Sequence, residues 1–406
     1  MVTALNNAAI NNIQQILIRD ITIDGELLNL SSSELRQVRI SNMENSHEAA
    51  VITTQLSKSK ISSYINKRIQ FTYGSKRSSK VFYGYVITVN VNQEYQQDAM
   101  VDILCLGPSW PMQSGTPKFF VSRTAPDVFA DIVAKHNLGC QTYTHPYNWP
   151  ALAQTTESDW EFIQTLATRV GYVIYMSDAV VRLVDPHQIV TKTGIFRRYI
   201  RADDLLDPSR QLLDFSPTSQ SLRIRDNIAP TFGYFEGTVA AVSKPFGISN
   251  NINQVLPTGI TNIIIPLISN PPPYRFSTEV PIQDKAMATA YSDAWQKMPD
   301  FWNLQASARI NGDVLVVPGV NIDIQVSSNS SGKNEYDGAW LVRGIEHSFT
   351  NNSFQTQLKL AKDASNNTPA NVDPSLIYTN TVQGNPKVQA NELGFWQSTW
   401  KAVEKV

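Results

Sequence analysis

Five histidines, two cysteines and a few neighbouring acids are the residues of this 406-residue chain whose types could do chemistry. His347 is the most suggestive, because it stands at the end of one arm of alternating residues in 337-DGAWLVRGIEHSFTNNSFQTQLKL-360. It could be a catalytic base or a metal ligand, or equally a polar residue holding a strand end. No second titratable residue is fixed near it by the sequence. His145 lies among Tyr143, Tyr147 and Trp149, where a loop packing on aromatic side chains accounts for it. His47, His136, His145, His187 and His347 do not fall at metal-ligand spacings. The adjacent acids Asp203-Asp204 and Glu157-Asp159 do not by themselves set the ~5–9 Å carboxyl separation that glycoside hydrolysis needs. Glu157 and Asp159 also suit the start of a helix. The basic cluster Lys76-Arg77-Lys80 sits at the tip of an expected hairpin and reads as a solvated turn rather than a phosphate contact. Cys105 and Cys140 form no CxxC pair and are too few for a disulfide framework, so reduced thiols and assembly in a cytosol are expected. There is no P-loop, no GxGxxG opening a helix, no HExxH and no GxSxG. No catalytic residue, metal or cofactor is therefore assigned, and a structural role is the better reading.

The elements that position these residues are mostly strands. The arms around the Asn351-Asn352 turn alternate with a period of two. Residues 15–119 read almost entirely as strands, including Ile16-Leu17-Ile18, 68-RIQFTYG-74, 81-VFYGYVITVNVN-92 and 99-AMVDILCLG-107, with the Asp24-Gly25 turn among them. In 81–92, Val81, Tyr83, Tyr85, Ile87, Val89 and Val91 are expected to hold one face. The period then changes. In 124-TAPDVFADIVAKHN-137, Val128, Ile132 and Val133 make a helical stripe, with Pro126 in the first turn. In 158-SDWEFIQTLATRVG-171, Ser158 and Glu161 form a capping box, Trp160, Ile163, Ala167 and Val170 share a face, and Gly171 suits a left-handed stop. A hairpin, 172-YVIYM-176 with 179-AVVRLVD-185, follows and ends at Asp185-Pro186. Strands return over 195–361, with one helix at 284–298, the turn Val317-Pro318-Gly319 and an excursion near 243–283.

Composition bounds the function. The length suits roughly two to four domains. Hydrophobic residues are 42%, enough for real cores, but charged residues are only 17%, against ~25% in typical soluble domains. Asn, Gln, Ser and Thr fill the difference. That suits a surface covered by other subunits, or a β-rich chain with many turns. The formal net charge of −1 gives no global pull towards nucleic acid or membrane. The N-terminal 1-MVTALNN-7 is not expected to be a secretory signal, and no window approaches the ~18 apolar residues of a membrane span.

Three stretches stand out together: 82-FYGYVITV-89 with 101-VDILCLG-107; 157-ESDWEFIQTLATRVGYVIYMSDAVVRLVDP-186; and 312-GDVLVVPGVNIDIQV-326 with 338-GAWLVRGIEHSFTNNSFQTQLKL-360. They resemble the baseplate hub proteins of contractile-tailed bacteriophages, which are related to the hub portion of type VI secretion spike proteins and to phage late-control proteins. The resemblance covers about two-thirds of the chain and leaves out 243–283 and the C-terminal tail. It implies a mainly β fold with an α+β insertion: a first tube-like β-barrel at 1–120, a helix-hairpin unit at 121–194 and a second tube-like barrel at 195–361. It also implies a homotrimer whose six barrels form a pseudo-six-fold ring joining the tail tube to a central spike. The partners would be tube or tube-initiator proteins, the spike, the tape measure protein and wedge or baseplate proteins, with DNA passing through unbound. The site would be the virion baseplate, assembled in the host cytoplasm, and His347 would belong to a barrel strand end. A tail-associated cell-wall hydrolase or peptidase is the competing class, and a glycan-binding β protein a third.

A polar linker is expected at 362–390, where Asn, Asp, Pro, Thr and Ser prevail. In 391-NELGFWQSTWKAVEKV-406, Leu393, Trp396, Trp400 and Val403 share one helical face. Leu393, Phe395, Trp396 and Trp400 are the candidate interface of a docking helix, which could dock on a partner or fold back on its own barrel.

Overall fold

Turn chemistry and period-two alternation set the first hundred residues into seven strands: β1 (Ile16–Ile23), β2 (Glu26–Leu27), β3 (Leu35–Met43), β4 (Ala49–Gln55), β5 (Arg68–Ser75), β6 (Ser79–Asn92) and β7 (Met100–Leu106). The structure is a computed structural model and describes residues 16–28, 30, 34–55, 63–75, 78–92, 100–192, 194–201, 210–219, 240–241, 255–256, 294, 298–299, 302, 304–326, 336–350 and 353–362. Asp24 and Gly25 take φ of 54° and 87°, the paired left-handed conformation of a tight hairpin, and Ile23 pairs with Glu26 across it. β6 departs from the expected alternation. Its core side chains are Phe82 and Val86, while Val81, Tyr83 and Tyr85 stay partly exposed. A register shift between Val86 and Thr88 inserts one extra residue, which flips the parity and turns Val89 towards the core. Val91 is left exposed.

The middle of the chain builds a unit with its own core. It contains β8 (Lys118–Thr124), α1 (Ala125–Lys135), β9 (Gly139–Thr142), β10 (Asn148–Gln154), α2 (Asp159–Val170), β11 (Val173–Ser177), β12 (Val180–Val184) and α3 (Pro186–Lys192). Both expected helices form. Thr124 caps α1 by accepting from Asp127 N, and Val128, Ile132 and Val133 are buried. In α2 the Ser158–Glu161 capping box is complete, and Gly171 closes the helix at φ 73°. Trp160, Phe162, Ile163, Leu166, Ala167 and Val170 pack inward with Phe120, Phe129, Trp149 and Leu152. Two features were not expected. β8 pairs with β10 in a two-stranded sheet, and β9 joins the β11–β12 hairpin in parallel. Asp185 does more than end that hairpin: its Oδ1 accepts from His187 N at 3.0 Å, capping α3.

The last third returns to strands: β13 (Arg197–Ile200), β14 (Leu212–Ser219), the two-residue pair β15 (Ala240–Ala241) and β16 (Val255–Leu256), β17 (Leu304–Asn311), β18 (Asn321–Gln325), β19 (Gly338–Thr350) and β20 (Ser353–Lys362). The hairpin expected around Asn351-Asn352 forms as β19 and β20, with Thr350 opposite Ser353. β18 does not pair with β17 across the Val317-Pro318-Gly319 turn; it lies between β19 and a parallel β13.

Thirteen strands make one hydrogen-bonded sheet in the order β14-β17-β20-β19-β3-β4-β7-β6-β5-β1-β2, with β18 and β13 branching from β19. The join between the two expected barrels is β19 against β3, paired from Gly344–Met43 to Thr350–Gln37. Among the described strands no closed barrel forms. The sheet instead serves two main hydrophobic cores, and a smaller cluster sets Leu341 and Ala361 against Val173, Tyr175 and Val184. One main core gathers Ile40, Ile52, Phe71, Phe82 and Ile103; the other gathers Tyr199, Ile310, Ile322, Trp340 and Leu360. The long β19–β20 hairpin enters both: Phe349 and Phe354 stack at 4.2 Å in the first core, while Val342 and Leu358 lie in the second. Each such side chain contributes about 1.5–3 kcal/mol by its burial. The 243–283 excursion lies outside the described residues except for Val255 and Leu256, as do the tail from 363 and the 284–298 helix except for Ala294 and Met298.

Candidate functional site

His347 is inside β19 rather than at its end, and only 1% exposed. Its Nδ1 and the Thr356 hydroxyl share a 2.8 Å hydrogen bond, and that hydroxyl also accepts from Asp313 N at 3.1 Å. Tyr73, Phe349 and Phe354 surround the ring at 5.8–6.4 Å. Burial, aided by the charge of Lys80, pushes its pKa down to about 3, so it is neutral in ordinary buffers. A neutral imidazole enclosed by aromatic rings and a threonine hydroxyl is a packing group. His145 also makes packing contacts. It accepts from Tyr147 N at 3.2 Å and stands edge-on to Tyr172, while Tyr147 stands edge-on to Trp149.

The acids have structural work too. Asp159 is 1% exposed and receives Lys135 Nζ at 2.8 Å, His136 Nε2 at 2.6 Å and Gln154 Nε2 at 2.7 Å. Burial alone would raise its pKa, but the hydrogen bonds from Lys135, Gln154 and His136 hold it below the usual carboxylate value. Glu157 accepts from Thr155 N at 3.0 Å and is held low chiefly by backbone hydrogen bonds. Both thiols are buried, and burial pushes their pKa values up. Among the described residues no group of three or more His, Cys, Asp or Glu could hold a metal. Lys80 pairs with Asp178 at 3.3 Å. Lys76, Arg77, Asp203, Asp204, Leu393, Phe395, Trp396 and Trp400 lie outside the described residues.

The sheet brings together a feature that no single motif announces. Opposite the two cores, register aligns rows of side chains across successive strands. One row runs Asp214–Arg309–Gln357–Glu346–Ser41–Ala49–Leu106–Tyr85. A second runs Asn311–Gln355–Ser348–Arg39–Val51–Leu104–Thr88. Ser216–Ser307–Lys359 and Thr350–Gln37–Thr53–Asp102–Asn90 flank them. Every one of these side chains is exposed or half-buried. Three cations (Arg39, Arg309, Lys359) meet three carboxylates (Asp102, Asp214, Glu346), and the β14–β20 side is otherwise neutral hydroxyl and amide. Cross-strand bonds hold it in place: Gln37 Nε2 donates to Ser348 Oγ at 3.2 Å and Thr53 Oγ1 to Asp102 Oδ1 at 2.7 Å. Arg343 donates to Gln305 Oε1 at 2.9 Å and pairs with Glu44 at the edge of the face, beside a cavity of about 520 Å³. The sequence signal for this face was the surplus of Asn, Gln, Ser and Thr. It could not be located without knowing that the strands of both lobes share one sheet.

Comparison with known proteins bears on the fold. The family described as Alg8 N-terminal domain matches residues 21–195. No curated protein shows a significant match to the sequence. Among solved structures, the tail protein from Neisseria meningitidis MC58 superposes with a TM-score of 0.58 at 9% identity, covering 86% of this chain and 98% of that one. The 43 kDa tail protein of prophage MuSo2 from Shewanella oneidensis gives 0.55 at 11% identity, covering 86% and 99%. The c3393 protein of E. coli, a type VI secretion component with structural similarity to the T4 tail proteins gp27 and gp5, gives 0.54 at 10% identity, covering 87% and 80%. The mainly β chain thus has the fold shared by phage tail proteins and a type VI secretion component, the group to which its sequence motifs pointed.

Proposed function

We propose that the chain is a structural hub protein of a phage-type tail, a homotrimer joining the tail tube to a central spike. The carrying observation is the fold: nearly the whole of the Neisseria tail protein is matched, not an isolated domain. Residues 1–120, 121–194 and 195–361 then act as a first tube-like unit, a helical unit and a second tube-like unit, and three copies supply six tube-like units. The polar sheet face supports the reading. A passage for polymers needs a wall that neither grips a phosphate backbone nor offers a large apolar patch. Balanced charges across the face, with neutral amides and hydroxyls on its β14–β20 side, meet that need. The partners are tube, spike, tape measure and baseplate proteins, and the place is the virion tail. The role is structural rather than catalytic, since the candidate residues His347, His145 and Asp159 are held in packing and capping contacts.

Light scattering of the purified chain, alone and with its spike protein, tests the assembly. Three copies per particle are expected; a monomer at high concentration under both conditions contradicts the proposal.

A further inference from the structure

A bulge in β19 adjoins a cavity in the polar face. The row Ser216–Ser307–Lys359 continues across β19 and β3 as Gly344–Met43. Gly344 contributes no side chain, and Met43 Sδ lies against the place that a Cβ would take. The register shift between Val342 and Gly344 makes Arg343 the extra residue of the strand. Arg343 and Glu44 line the cavity of about 520 Å³ on that side.

Its two walls differ. On one, the side chains are tied to one another. Arg343 pairs with Glu44 and donates from Nη1 to Gln305 Oε1 at 2.9 Å, while Gln305 Nε2 donates to Pro299 O at 2.8 Å. On the other wall stand Lys359 and the hydroxyls of Ser216, Thr218 and Ser307. Among the described residues no hydrogen bond or ion pair holds any of these four side chains. Cross-strand neighbours stand about 4.5–5.5 Å apart at Cβ, so the Ser307 hydroxyl and the Lys359 ammonium can meet one oxyanion together. All that an ammonium can do is donate, and the hydroxyls are free to donate beside it.

Charge narrows the class of ligand. Arg343 and Lys359 against Glu44 leave the cavity with a single cation in excess. Asp214 and Arg309 of the adjoining row are cross-strand partners and offset each other. A monoanion is thus matched, whereas a phosphate dianion would keep one charge uncompensated beside the Glu44 carboxylate. The volume far exceeds a lone carboxylate and falls within the ~300–1,000 Å³ of ligand pockets.

We propose that this cavity binds an acidic side chain, aspartate or glutamate, of a partner polypeptide. Lys359 takes the carboxylate, Ser307 and Ser216 donate to it, and the tied Arg343–Glu44–Gln305 wall borders the flanking residues. The inference needs only the cavity and stands apart from the tail-hub reading.

Saturation-transfer NMR of the full-length chain with acetyl-Ala-Glu-Ala-amide, its Gln counterpart and inorganic phosphate tests it. The Glu peptide is expected to bind about tenfold more tightly than the Gln peptide, and Lys359→Gln to remove that difference. Ser307→Ala is expected to weaken the Glu peptide by about threefold. Both positions are exposed, so the fold tolerates either substitution. Absent or equal binding of the two peptides, or a preference for the Glu peptide that survives Lys359→Gln, would overturn the site. Phosphate binding more tightly than the Glu peptide would overturn the carboxylate assignment.

Discussion

At the scale of single residues, the polar groups that invite catalytic readings are occupied. His347 shares its proton chemistry with Thr356, and the hydroxyl is in turn fixed by Asp313 N. His347→Ala is expected to cost about 1–3 kcal/mol, because it orphans a buried hydroxyl, and to leave no peptidoglycan-degrading activity to lose. Denaturant melts and a zymogram read the two outcomes; a lytic activity abolished by the substitution would contradict the structural role. The same residues set a pH profile. Burial lowers His347 to about 3 and His47 to about 4. Their stabilisation is complete above pH 6.5 and is lost as pH falls towards those values. Glu48, raised to about 8, works in the opposite sense and loses its contribution as pH rises from 4.5 to 8. Below 6.5 the unfolded chain gains two protons from these histidines against one held by folded Glu48. Above 6.5 only the Glu48 effect remains. Thermal midpoints are therefore expected to peak near pH 6.5; a monotonic rise to pH 9 would contradict the assignment. The presence of His347 in a strand was legible in the sequence, but its depth was not. Burial there comes from Tyr73 and Phe354, residues 274 positions before it and seven after it in numbering, which only the fold brings together.

At the scale of elements, local chemistry was legible wherever it acts within one segment. The α2 cap is the clearest case: Glu161 N donates to Ser158 Oγ at 3.2 Å and Ser158 N to Glu161 Oε2 at 2.9 Å. Ser158→Ala is expected to cost about 1 kcal/mol. Gly171→Ala should cost more, since it adds left-handed strain and drives a Cβ into the Ala294 carbonyl. Urea midpoints with unchanged slope distinguish the two, and equal costs would mean that the close approach of Ala294 is not rigid. What could not be read was a change of parity or of partner. The β6 bulge at Ile87 reverses an alternation that looks continuous. The β8–β10 pairing depends on Phe120 and Leu152 meeting the α2 face. The Asp185-Pro186 step signals a stop, yet the same residues open α3. The segment 391–406 remains a proposed docking helix. Deleting it should leave the folded core intact by circular dichroism while weakening spike or subunit attachment, since each buried tryptophan of its aromatic face would contribute about 1.5–3 kcal/mol. Unchanged particle assembly would rule that role out.

At the scale of the whole molecule, the sequence disclosed the class of fold and the surplus of neutral polar residues, but not that two lobes share one sheet. The reason is physical: β3 and β19 are some 300 residues apart in sequence, and their pairing leaves no local trace beyond two ordinary alternating strands. That pairing is what turns scattered Ser, Gln and Asn residues into one face. If the face lines a passage, making it cationic should hinder transit without harming the fold. Gln357→Lys, at an exposed position of the face, is expected to change stability by within about 0.5 kcal/mol. Assembled particles should then release DNA more slowly, most markedly at low salt. Release at the native rate would argue that the face lies elsewhere. The most direct measurement is a reconstruction by electron cryomicroscopy of the chain bound to its spike. It should show three copies around an axial channel, with Arg309, Gln357, Glu346 and Ser41 on the channel wall. A particle in which those four residues face outward, or in which no three-fold channel exists, would contradict the account.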